Sequence, residues 1–230
     1  MPPSPVDSTQ LQSYRPGVPG KAQEADKIKV FVVDRQIIFR QYLRRRLSET
    51  EDIEVTGESG DFSEDVASLI EGLAPDVAVV DTDLPSFSGF DLARDITQRS
   101  PNISIIMLTP YRDDNQILRA LKAGVAGYLS KDISGNELAS AIRRVSNRER
   151  IIIELLVRPG VAQQVFKELR SKEKEGLTEP VSHQEMKILG YFTEGYSPKQ
   201  VANAMGVSEQ EITMCMFSIV SKLVTNGCAQ

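Results

Sequence analysis

Histidine and cysteine are nearly missing from this chain: one histidine, His183, and two cysteines, Cys215 and Cys228, in 230 residues. A lone histidine leaves a histidine-based triad or a zinc site almost nothing to work with. Two distant cysteines offer neither a disulfide framework nor metal-ligand spacing. They fit a reduced, cytoplasmic setting. No apolar run approaches the ~20 residues that span a bilayer. No Gly-rich phosphate loop follows a strand candidate, and no nucleophile is paired with a histidine, so a stand-alone enzyme is not expected. The first residues, MPPSPVDSTQLQSYRPGVPGKAQEAD, have no apolar segment of the secretory kind and are rich in Pro, Ser and Gly. They read as a disordered tail over residues 1–27. Charge is also unevenly supplied. Residues 177–230 contain no arginine and only Lys187, Lys199 and Lys222, against five acidic residues.

The region from residue 28 onward is more informative. IKVFVV (28–33), IEVTGES (53–59), VAVVD (77–81), ISIIMLT (103–109) and AGYLSK (126–131) are strand candidates. They alternate with helical patterns at 39–49, 62–73, 90–100 and 115–124, and from a capping box at Ser134 and Glu137. Five apolar strands alternating with helices predict an α/β domain over 28–148, with a doubly wound five-stranded parallel sheet of flavodoxin-like topology. Chemistry in such sheets gathers at the carboxyl ends of strands. Asp34, Asp81, Thr109 and Lys131 all stand at those ends.

Residues 149–176 read as a helical linker, with a break at Pro159-Gly160 followed by Val161, Val165 and Leu169 at i, i+4, i+8. A solvated linker is the alternative. Residues 177–230 form a small all-α pattern. Gly195 closes one helix, Ser197 and Pro198 open a second, Gly206 ends it, and Ser208 with Glu211 opens a third. A glycine turn between the last two helices predicts a helix-turn-helix.

These residues resemble two-component response regulators of the NarL/LuxR class over about residues 28–223. DTDLPSFSG (81–89) is similar to the family's phosphoacceptor segment, with Pro four and Gly eight residues after the Asp. The resemblance implies that Asp81 is the phosphoacceptor, Thr109 the switch hydroxyl, Tyr128 the switch aromatic and Lys131 the phosphoryl-binding lysine. EGYSPKQVANAMGVSEQEI (194–212) resembles the LuxR-type helix-turn-helix. The family role implied is transcription regulation, with DNA as partner and a homodimer as the usual state. Mg²⁺ is the implied cofactor, held by the phosphoacceptor, a backbone carbonyl two residues on (Asp83) and an acidic pair after the first strand.

The chain departs from that pattern twice. The acidic pair should occupy residues 34 and 35, but only Asp34 is acidic. Arg35 turns an acceptor into a donor-only cation. Two unit charges ~4 Å apart interact by about 4 kcal/mol at an effective dielectric of ~20. The expectation is that Arg35 lies near Asp81 and Asp34 and partly replaces the metal, so that Mg²⁺-dependent phosphorylation is slow or absent. The alternative is that Arg35 swings into solvent and Asp83 or Asp34 keeps the ion.

The second departure is in the candidate recognition helix, 209–223. The LuxR-type pattern has basic residues among 213–216, whereas this chain has Thr213, Met214, Cys215 and Met216. Ile212, Met216, Ile219, Val220 and Leu223 should face the core, leaving Gln210, Thr213, Met214, Phe217 and Ser221 outside. Two expectations follow. In one, DNA is bound weakly through Lys199, Gln210, Thr213 and backbone amides, aided by a partner. In the other, Met214 and Phe217 anchor a protein-binding face.

Overall fold

The computed structural model describes residues 27–60, 65–83, 88–111, 113–175 and 179–227. The expected tail (but for residue 27), Phe62, Pro85 and Cys228 lie outside those residues. Strands β1 (Ile28–Val33), β2 (Ile53–Ser59), β3 (Val77–Asp81), β4 (Ser104–Thr109) and β5 (Gly127–Ser130) pair in the order β2-β1-β3-β4-β5. Every pairing is parallel. The β-branched runs of β1 and β3 are buried on both sides because helices cover both faces.

Helices α1 (Ile37–Ser48) and α5 (Gly135–Ser146) close one face, where Leu43, Leu47, Leu138 and Ile142 meet Val30, Val32 and Val79. Helices α2 (Asp65–Leu73), α3 (Gly89–Arg99) and α4 (Asp114–Lys122) close the other. The start of α5 is the capping box expected from Ser134 and Glu137.

After α5 a short 3-10 helix, Ile151–Val157, leads into α6 (Pro159–Glu175). The break expected at Pro159-Gly160 is instead the first turn of that helix. Proline is suited to this position, since its missing N–H has no intrahelical acceptor there. Val161, Val165 and Leu169 are fully buried, so α6 packs rather than floats. It lies on α4: Lys122 pairs with Glu168 at 2.6 Å and Arg158 with Asp114 at 2.9 Å.

The last helices are α7 (His183–Thr193), α8 (Pro198–Met205) and α9 (Glu209–Gly227). Gly206 caps α8 at φ 69°, a left-handed conformation that glycine adopts without strain. Ile212, Met216, Ile219, Val220 and Leu223 are buried as expected. One apolar core runs unbroken from Phe31 and Ile117 through Leu156 and Val165 to Phe192 and Ile219. The output helices are therefore docked on the sheet domain. No helix among the described residues is long and apolar enough to cross a membrane.

Candidate functional site

The sheet order brings β1, β3, β4 and β5 side by side, so their carboxyl ends form one edge. Asp34 and Asp81 sit there with only 2% and 1% of their surface exposed. Lys131 reaches between them. Its Nζ donates to Asp34 Oδ2 at 2.6 Å and to Asp81 Oδ2 at 2.8 Å. It also lies 4.7 Å from the centre of the Phe39 ring, a cation–π contact. The remaining carboxylate oxygens accept backbone amides, Gln36 N to Asp34 Oδ1 at 2.7 Å and Asp83 N to Asp81 Oδ1 at 3.1 Å. Burial pushes the Asp81 carboxyl above its ordinary range. The Lys131 and Asp83 hydrogen bonds oppose that rise, and the neighbouring Asp34 charge adds to it. One ammonium thus serves two buried carboxylates and leaves one negative charge over.

The expectation that Arg35 lies near Asp81 and Asp34 and partly replaces the metal is corrected. Its Nη2 meets Asp83 Oδ2 at 2.9 Å, with both side chains largely in solvent. The chain leaves β1 and enters α1 there, and this turns residue 35 to the rim while residue 34 points inward. The cation inside is Lys131. The acidic set that the resemblance implies for Mg²⁺ is incomplete. The second acidic position is a guanidinium, the space between the two inner carboxylates is bridged by an ammonium, and no three acidic, histidine or cysteine side chains among the described residues gather to hold a metal.

Thr109 is fully buried at the end of β4. Its hydroxyl donates to Tyr111 O at 2.7 Å and lies 3.2 Å from Gln116 Oε1. Tyr128 is turned inward, and its hydroxyl donates to the same Gln116 Oε1 at 2.8 Å. Gln116 links the two residues, and no motif or spacing in the sequence marked it. Gly89 is where close approach requires glycine. A Cβ there would stand 2.1 Å from the Asp81 carbonyl oxygen, so α3 can start against the site only without a side chain.

On the output helices, Lys199, Gln210, Thr213 and Met214 are exposed, Met214 to 68%. Thr213 bonds its hydroxyl back to Glu209 O at 3.0 Å. Phe217, expected outside with Met214, is half-buried against the core. A further residue escaped the sequence reading. Glu185 is 4% exposed and takes Lys222 Nζ on both oxygens, at 2.9 and 2.7 Å, with Ser218 Oγ at 2.5 Å. Although burial opposes its charge, the Lys222, Ser218 and Ser182 hydrogen bonds hold its carboxyl below the ordinary range. Ser182 and Glu185 form a capping box, the pattern that was read at Ser208 and Glu211. The pairing with Lys222, 37 residues away, is a matter of folding alone.

Comparison with known proteins gives two family matches, the response regulator receiver domain over residues 30–143 and the bacterial regulatory proteins of the luxR family over residues 179–230. The DNA-binding transcriptional activator DevR/DosR of Mycobacterium tuberculosis is 34% identical over 85% of this chain and 88% of its own. The response regulator protein VraR of Staphylococcus saprophyticus is 32% identical over 85% and 90%. Among solved structures, the signal receiver domain of the putative response regulator NarL from Mycobacterium tuberculosis superposes with a TM-score of 0.51 at 27% identity, covering 54% of this chain and 98% of that one.

Proposed function

The chain belongs to the transcriptional response regulators that join a receiver domain to a LuxR-type helix-turn-helix, and on that premise we propose that its receiver works without Mg²⁺-dependent phosphorylation. The division we propose is a receiver over 28–148, a linker over 149–176 and an output domain over 177–230. The observation that carries the reading is Lys131 between Asp34 and Asp81 at 2.6 and 2.8 Å, with Arg35 on Asp83 at the rim. Lys131 supplies positive charge between the two inner carboxylates, where a divalent ion would otherwise offset incoming phosphate, and Arg35 removes the second acidic ligand. The buried Asp81, Thr109, Tyr128 and Lys131 then act as a polar lock that fixes one conformation. Labelling from a small-molecule phosphodonor, with and without Mg²⁺, tests it. Wild type is expected to stay unlabelled and Arg35→Asp to gain label with Mg²⁺. Labelling of wild type that requires Mg²⁺ refutes the reading.

The output is proposed to bind DNA weakly or with a partner's help, in a cytoplasmic homodimer. The description of DevR/DosR as a DNA-binding activator supports DNA as the partner. The second reading, a helix-turn-helix kept as a protein-interaction module, is favoured by Lys222. That lysine is the one basic residue of α9, and Glu185 holds it. Most non-specific affinity for duplex comes from cations on phosphates. A gel shift over a range of salt separates the two. Binding that weakens steeply with salt supports DNA recognition. Absence of binding at all salts supports the protein-contact reading.

A further inference from the structure

The first turn of α4 makes contacts in two directions. Towards the sheet, Gln116 Oε1 accepts the Tyr128 hydroxyl at 2.8 Å and lies 3.2 Å from Thr109 Oγ1. Towards the linker, Asp114 Oδ1 pairs with Arg158 Nη2 at 2.9 Å, and Asn115 Oδ1 accepts Gln164 Nε2 at 3.0 Å. Consecutive residues thus hold the ends of β4 and β5 on one side and the start of α6 on the other. The approach of α6 is close, since a Cβ on Gly160 would collide with Asp114 Oδ2. A carboxylate suits that place, against the positive end of a helix. Further along α4, Lys122 holds Glu168 of α6, and α9 lies against the same helix.

Hydrogen-bond chemistry shows what Gln116 contributes. Tyr128 is only 5% exposed, and a phenolic hydroxyl at that depth needs an acceptor for its proton. Gln116 supplies the oxygen. Thr109 gives its single proton to Tyr111 O at 2.7 Å and accepts Tyr111 N at 3.2 Å, so that hydroxyl is committed to the loop leading into α4. An acceptor at residue 116 is therefore what ties Tyr128 to α4. We propose that Gln116 is a positioning residue. It holds Tyr128 inward and, through the turn it shares with Asp114 and Asn115, keeps the linker and α9 on the receiver. One hydrogen-bonded helical turn fixes these three residues relative to one another. Release of Tyr128 then loosens the grip on Arg158 and Gln164, and the docking of the output helices with it. No phosphoryl group enters this joint, so it holds whichever way Asp81 behaves.

Fluorine NMR of the full chain labelled with 3-fluorotyrosine tests this without any phosphodonor, together with hydrogen exchange. The resonance missing from Tyr128→Phe belongs to Tyr128. Gln116→Leu keeps the bulk and removes the acceptor. It should move that resonance towards the position of an exposed ring, and speed exchange in α6 and α9 by roughly threefold to tenfold, the range for one lost hydrogen bond. Exchange in α5, on the opposite face of the sheet, should not change. Gln116→Glu restores an acceptor and should restore both readings. Coupling is reciprocal, so Gln164→Met, which cuts the linker side alone, should shift Tyr128 the same way by less. An unmoved Tyr128 in Gln116→Leu overturns the positioning role, as does failure of Gln116→Glu to restore it. Movement of Tyr128 without faster exchange in α9, or no response of Tyr128 to Gln164→Met, overturns the joint. An equal rise in α5 reduces Gln116 to general packing and overturns it as well.

Discussion

Each half of the molecule withholds a lysine by the same means, and the two clusters differ in one respect. In the receiver, Lys131 stands between two buried carboxylates, Asp34 and Asp81. In the output domain, Lys222 faces one, Glu185, which Ser218 also satisfies. The output cluster balances its charge and its carboxyl is easily ionised. The receiver cluster keeps a spare negative charge, and burial raises its Asp81. A one-to-one pair with added hydroxyls is a structural device. Two acids on one lysine form a strained arrangement whose balance a further charge can tip.

Removing each lysine gives the largest expected effects. Lys131→Met leaves two buried acids without a cation and should cost about 3–5 kcal/mol. Lys222→Met should cost less, about 2 kcal/mol, because Ser218 and the Ser182 amide still serve Glu185. Urea denaturation of the full chain, followed by hydrogen exchange in β3 and in α9, reads the two separately. Equal losses would mean that the clusters are equivalent after all.

Acid should move the two regions in opposite directions. The folded-state pKa of Glu185 is depressed, so its contribution is present above the ordinary carboxylate value of about 4.3 and is lost as pH falls through the folded value. That of Asp81 is raised, so its contribution is present below about 3.9 and is lost as pH rises through the folded value. Lowering pH from neutrality to about 4 should ease the strain at β3, and only further acidification, through the folded value of Glu185, should weaken protection in α7 and α9. Parallel loss in both regions would contradict this. The smallest effect is expected of Asp81→Asn. It removes the spare charge while Asp34 keeps Lys131 paired, and should change stability by less than about 1 kcal/mol, towards greater stability. Marked destabilisation would mean that Asp81 is well paired rather than in excess.

Much of this was legible in the chain. Apolar runs of period suited to buried strands, and acids or a lysine at their ends, indicated the sheet and put Asp34, Asp81, Thr109 and Lys131 on one edge. Capping residues at Ser197, Ser208 and Gly206 marked the output helices. Those signals are local, and local propensity and periodicity report them faithfully. Arg35 was placed wrongly for the same reason. Sequence position put it beside Asp34, but the turn out of β1 sends neighbouring side chains to opposite sides.

Residue type and spacing thus determined the α/β sheet and the helix-turn-helix, because these rest on patterns a few residues long, and the family came from the resemblance those motifs carry. Only the tertiary structure decided which cations meet which acids. Lys131 closes on Asp34 across 97 positions and Lys222 on Glu185 across 37, while Arg150 is buried with two N–H groups unmatched. Such choices depend on how separate elements pack, and a charge buried by packing must take the partner that the fold brings within reach.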